Sequence, residues 1–407
     1  MQIHRSASRL TFRKRRRRSG CLSFTVLLGL CLGVAAASWT WLGQRIAPAA
    51  APPLSADLGP ALQAFDRGDL DAAVSLAQQA LAADPTSAAA AAALARALIY
   101  RSYSDYNRDL DRESALQITT EALARGPAGA DRDLMAAHAF ALQAAGDPQA
   151  AAEMARRVLE DAPEHTLART ALGLAYSGVG SHEIALRETQ RAAQGADGWR
   201  MDALRALALG YSGVGDYAAA LRTIEQALAL NPRLLPLHFE RAAYARLIGD
   251  ADAATVSYFQ ILAYAPANVK ARLRLCELSS TLRERDAAVQ YCQQVTDLAP
   301  TWAEGWYRLG REYFLQGNFQ LAQQHLNRCS RLQALQDVPA AERRFECWYL
   351  QGQAAELLGD CDALLATYNE YLMIAAAAGL SQTWVYPPEG PPACAAAGAV
   401  DGAADGG

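Results

Sequence analysis

The chain has 407 residues, 52% of them hydrophobic and 20% charged, with a formal net charge of −4. That length and apolar content exclude a wholly disordered chain and allow a sizeable core. Residues 1–19 hold eight of the 38 basic side chains and none of the 42 acidic ones, so the rest of the chain has 30 basic against 42 acidic groups, a balance that argues against wholesale nucleic-acid binding.

Residues 1–20 form a basic segment whose run Arg13, Lys14, Arg15, Arg16, Arg17, Arg18 is read first as a topology signal, because uncharged sequence follows directly. Residues 21–43 are 23 positions without a charge. As a helix they span roughly 35 Å, enough to cross a bilayer core of roughly 30 Å. Trp39 and Trp41 suit the far interface, and Arg45 is the only charge ahead of Pro48 in the linker 44–57, which also contains Pro52 and Pro53. The expectation is a single-pass signal-anchor in the cell membrane, with the basic end cytoplasmic and everything downstream extracytoplasmic. The alternative is a cleaved signal peptide, since Ala35 and Ala37 offer a small-residue site before Ser38, and the product would then be secreted.

Helical periodicity begins after the linker. Residues 58–65, a turn at Gly68 and residues 70–82 make a first helix–turn–helix, with Ala73 and Ala80 as small packing residues. A second starts near Ala88 but is interrupted by a polar insert, residues 101–114, with Tyr103, Tyr106 and the alternation Asp105, Asn107, Asp109, Asp111. Alternating oxygens suggest a calcium loop, yet Leu110 stands where the turn glycine belongs and Leu116 where the closing glutamate belongs, so a surface loop is expected. A third unit runs from Asp131 through Gly146 to Pro163. The pentapeptide ending in Gly180 recurs ending in Gly215, with Tyr176 and Tyr211 separated by 35 residues. Pro232, Pro266 and Pro300 then follow at intervals of 34, each ending a second helix that proline cannot continue. In the unit that closes at Pro300, Cys276 takes a small slot and Arg283 the place of the turn glycine.

The best-formed unit is 301–332, where Trp306, Leu309, Gly310 and Tyr313 fall at i, i+3, i+4 and i+7 on one helical face, Gly317 marks the turn, and Ala322 and Leu326 pack the return helix. This W-x-x-L-G-x-x-Y spacing resembles the tetratricopeptide repeat. The resemblance covers roughly residues 58–375 and implies an all-α fold, an α-solenoid of about nine such repeats behind one transmembrane helix. A degenerate last repeat with Trp348, Gly352, Gly359 and Tyr368 is expected to cap the array, and residues 376–407 to form a disordered tail.

No nucleophile elbow, phosphate loop or His/Cys/acid cluster at ligand spacing occurs in the sequence, and His138, His165, His182, His238 and His325 each stand in a different unit or turn. The expectation is therefore no enzyme, no cofactor, no metal and no nucleic-acid partner. The resemblance implies a protein-interaction scaffold that binds a partner protein or peptide in a concave groove. The alternative is a secreted or periplasmic protein for a glycan or calcium. With the packing face assigned to Trp306, Leu309, Gly310 and Tyr313, the groove is expected at Tyr307, Arg311 and Phe314, joined by Tyr349 and Gln353 in the next repeat and by Phe239 and Arg246 two repeats earlier. An extended partner segment would lie across Tyr307, Arg311 and Tyr349, or else Tyr307 and Phe314 simply cover neighbouring helices. The carboxylate-clamp pattern of the family is not matched, since Leu209, Glu277 and Arg311 occupy the corresponding places. Export would allow disulfides between Cys276 and Cys292 and between Cys329 and Cys347, leaving Cys361 and Cys394; otherwise the six are reduced, buried small hydrophobes.

Overall fold

The computed structural model describes residues 57–126, 131–195, 197–379 and Cys394. Among these residues there are eighteen α-helices, in nine consecutive antiparallel pairs. The first five pairs are α1 (Gly59–Asp66) with α2 (Leu70–Ala83), α3 (Ala88–Ser104) with α4 (Leu110–Arg125), α5 (Arg132–Ala144) with α6 (Pro148–Asp161), α7 (Thr166–Gly178) with α8 (His182–Ala192), and α9 (Arg200–Gly213) with α10 (Tyr217–Leu230). The last four are α11 (Leu235–Leu247) with α12 (Ala251–Tyr264), α13 (Val269–Thr281) with α14 (Arg285–Leu298), α15 (Ala303–Leu315) with α16 (Phe319–Leu335), and α17 (Glu346–Leu358) with α18 (Cys361–Ala377).

The α15–α16 pair shows why the sequence takes this form. Gly317 ends α15 with φ +80°, a left-handed conformation that a side chain resists, and the Asn318 side chain accepts a hydrogen bond from Leu321 N to start α16. A Cβ on Gly310 would lie 2.7 Å from Leu326 Cγ, so only glycine lets α16 pack this closely on α15. Ala322 and Leu326 are fully buried at that contact. The other pairs repeat the arrangement with local departures. Arg283 occupies the left-handed turn position between α13 and α14 at φ +64°. Pro232, Pro266 and Pro300 follow α10, α12 and α14 within two residues, as their spacing predicts.

Three cysteine pairs staple the later units. Cys276 on α13 is bonded to Cys292 on α14 with a Cα–Cα separation of 5.3 Å. Cys329 on α16 is bonded to Cys347 on α17 at 6.0 Å, and Cys361 at the start of α18 to Cys394 at 5.6 Å. The region read as an insert departs from expectation. Residues 101–104 complete α3 and 110–114 open α4, leaving only 105–109 as a connection, and Ser102 and Ser104 are buried.

That short connection does not project into solvent; it crosses to units far along the chain. The Asp105 carboxylate accepts from the backbone N–H of Lys270 at 2.9 Å, at the start of α13, where the helix dipole favours an anion. Asn268 Nδ2 donates to the Ser104 carbonyl at 2.8 Å, and Tyr106 packs on Trp302 with ring centroids 4.7 Å apart. Earlier in the chain, Asn231 Nδ2 donates to the Phe65 carbonyl at 2.9 Å. A Cβ on Gly68 would meet the Arg233 carbonyl oxygen at 2.5 Å. The first two units thus close onto the turns between units five and eight.

No helix among the described residues is long and apolar enough to cross a membrane. The expected anchor at 21–43, the basic segment 1–20 and nearly all of the linker 44–57 lie outside the described residues, as does most of 376–407.

Candidate functional site

First helices of successive units line the inner face, and charge there follows the repeat register. Glu240 on α11, Arg274 on α13 and Arg308 on α15 are spaced 34 residues apart and occupy equivalent places. Arg205 on α9 bonds Glu240 through Nε at 2.7 Å, and Glu240 keeps that guanidinium charged despite its burial. Further along, Glu277 receives Arg274 at 2.6 Å and Arg308 at 3.0 Å, while Glu304 receives Arg308 at 2.6 Å and Arg344 at 2.7 Å. Each of these carboxylates is bonded by an arginine from another helix or connection, which fixes long side chains that would otherwise sample many rotamers.

Where the first units close over the ladder, part of the groove is taken up by the chain itself. Arg96 of α3 pairs with Asp202 of α9, its Nε 3.1 Å from Oδ1, and its guanidinium lies between the rings of Phe65 at 4.3 Å and Trp199 at 4.6 Å. Lys270 Nζ donates to the Tyr103 carbonyl at 2.7 Å and lies 4.6 Å from the Phe239 ring centre. Burial pushes the Lys270 ammonium pKa down to about 8, helped by neighbouring Arg274 and opposed by Asp105, Glu240 and Asp109. A polar cavity of about 670 Å³ remains at this junction, walled by Tyr103, Tyr106, Lys270 and Trp302 among others. Asp105 and Asp109 are engaged there, by α13 and by Arg112, while Asp111 pairs with Arg101 at 2.8 Å away from this cavity.

On the far side of Arg274, Glu277 and Arg308 lies a second cavity of about 550 Å³, formed by α11, α13 and α15, which no other part of the described chain fills. Its floor is a buried carboxylate. Glu312 is 1% exposed and accepts from Ser280 Oγ at 2.6 Å, Arg311 Nη1 at 3.0 Å and Arg285 Nη1 at 3.2 Å. At the equivalent positions of the two preceding units the chain buries Leu278 and Tyr244.

The structure brings three of the sequence-predicted groove residues, Arg246, Tyr307 and Arg311, to this cavity. Tyr307 contributes little more than an edge. It is 8% exposed and packed into the core that includes Cys347 and Trp348, with Arg344 over its ring at 4.6 Å; burial raises its hydroxyl pKa, as does Glu346. Its burial follows from the next unit packing on that face, while Trp306, assigned to packing, stays partly exposed and stacks on His325 at 5.5 Å. Phe314 turns to Phe319 of its own unit at 5.4 Å, and Phe239 lies beside Tyr258 at 6.3 Å and under Lys270. Tyr349 accepts from Gln353 at 2.8 Å, and neither lines the cavity. Sequence reasoning missed Ser280, Arg285 and Glu312; the signal was a glutamate at a register position where Leu278 and Tyr244 precede it.

Residues 303–334, the α15–α16 unit, match the family model for the tetratricopeptide repeat. Among solved structures, the Cut9–Hcn1 hetero-tetramer of the APC/C is similar to 75% of this chain over 57% of its own length, at 16% identity and TM-score 0.52. The fold is that of a tetratricopeptide-repeat solenoid. The chain thus spans less than two thirds of that neighbour. The C-terminal part of a TPR repeat-containing protein from Cytophaga hutchinsonii aligns with 59% of this chain and 95% of its own at 12% identity and TM-score 0.48. A human IFIT1 dimer with PPP-AAAA aligns with 78% and 82% at 14% identity and TM-score 0.48. No curated protein matches the chain.

Proposed function

We propose that this solenoid is a membrane-anchored scaffold that holds a segment of a partner protein in the cavity between α11, α13 and α15, contributing no catalysis of its own. The observation that carries this reading is a cavity of about 550 Å³ on the inner face whose arginines Arg285 and Arg311 are already held in place by the buried carboxylate of Glu312. Fixed side chains around an open concavity lower the ordering cost of binding. Placement of the repeats outside the cytoplasm is supported by the basic run ahead of residues 21–43 and by three bonded cysteine pairs, which persist in oxidising compartments.

The test is site-specific crosslinking in cells. A photoreactive residue replaces Leu315, which lines the cavity and is 42% exposed, or Val256 on the second helix α12, which is 52% exposed. A discrete adduct at position 315 that is absent at 256 supports the groove reading, and equal labelling at both positions excludes it. Protease added to spheroplasts is expected to digest the repeats, and protection until the membrane is breached reverses the topology.

A further inference from the structure

We infer that the α11–α13–α15 cavity recognises an acidic peptide, the carboxylates of an extended partner segment pairing with arginines held ready by Glu312. This rests on the scaffold reading above and specifies its ligand chemistry. Five arginines face the cavity, Arg246, Arg274, Arg285, Arg308 and Arg311, against the two carboxylates of Glu277 and Glu312.

Both carboxylates are already committed. Glu277 is spanned by Arg274 and Arg308, and Glu312 by Arg285, Arg311 and the Ser280 hydroxyl. Even with Glu304 counted against Arg308, five arginines meet three carboxylates, so the cavity keeps a surplus of positive charge although the chain beyond residue 19 is acidic. A local field of opposite sign to the surroundings steers an anion to one place.

Glu312 is the second, independent observation. A fully buried carboxylate is expensive, and the two preceding units fill the same position with Leu278 and Tyr244. What the glutamate does here is hold two guanidinium groups, whose side chains remain 32% and 37% exposed, with donors left to offer. A planar guanidinium fixed at one edge presents its other edge as a fork that matches a carboxylate. Nucleic acid is the less favoured anion, because beyond residue 19 the chain carries 42 acidic against 30 basic side chains, a net negative charge that opposes a long polyanion more than a short acidic segment.

The experiment uses the full chain in neutral detergent and a fluorescein-labelled Glu-rich peptide, with its Gln-rich counterpart and a short single-stranded RNA as competitors. Saturable binding of the Glu-rich peptide is expected, weakening with added salt and not competed by the Gln-rich peptide. The pair Arg246→Ala with Arg311→Gln is expected to lower affinity at least about tenfold with an unchanged melting temperature. Arg311→Gln keeps a donor for Glu312, and if the pair lowers the melting temperature, the exposed single change Arg246→Glu carries the same test. Equal binding of the two peptides, tighter binding of RNA, or undiminished affinity in the variants overturns the inference. A cellular adduct at position 315 that survives Arg246→Glu also overturns it while leaving the scaffold reading intact. Loss of the adduct specificity for position 315 removes the scaffold reading itself.

Discussion

The two halves of the inner face are built from the same kind of repeat and are completed differently. Beneath units one and two, inner-face charges are satisfied by the chain itself: Arg96 with Asp202, Asp105 with the start of α13, and Lys270 with the Tyr103 carbonyl. Beneath units six to eight, Arg274 and Arg308 at one register position and Arg311 a helical turn beyond Arg308 line a second cavity. The difference teaches that a repeat sets where a side chain stands, while the closure of the superhelix sets whether a partner still has access to it.

The contrast is broken most severely at Arg96. Arg96→Met removes the partner of Asp202, whose side chain is fully buried, and is expected to cost about 3 to 5 kcal/mol in urea unfolding. If the first units close independently of this pair, the loss will be below about 1 kcal/mol, as for an exposed bridge.

Lys270 gives a smaller, pH-dependent readout of the same closure. Its folded pKa of about 8 lies below its ordinary 10.5, so between these values the unfolded chain binds the extra proton and the Lys270 contribution to stability rises with pH. Relative to Lys270→Met, the native chain is expected to gain on the order of 1 kcal/mol between pH 8 and 9.5. A constant difference across that window would place Lys270 in solvent.

The smallest effect belongs to Arg283, on the open half. Its φ of +64° costs a side chain what it would not cost glycine, so Arg283→Gly is expected to raise stability by about 0.5 to 1 kcal/mol, after allowing for the more flexible unfolded chain. Peptide binding at the cavity is expected to be unchanged, and a loss would tie that turn to the site.

Local chemistry made much of this legible. The spacing of Trp306, Leu309, Gly310 and Tyr313, the proline intervals and the turn glycines depend on contacts within one unit or between neighbours, and those contacts lie close in sequence. Arg246 and Arg311 were readable as inner-face residues for the same reason. Tyr307 reaches the cavity with little more than an edge, because its exposure depends on how tightly the following unit covers it, which Arg344 and Trp348 decide. Likewise residues 101–114 look like a loop on composition, but the helices extend through most of them because a distant surface is present to accept their polar groups.

The unit, its period and the helix ends follow from residue order alone, since capping, proline and small-residue packing act over a few residues. Which part of the inner face is closed depends on contacts between distant units. Asp105 and Lys270 are 165 residues apart in the chain, and Arg96 and Asp202 are 106 apart. Pairings at such separations are the sum of many small rotations between stacked units, and no local pattern encodes that sum.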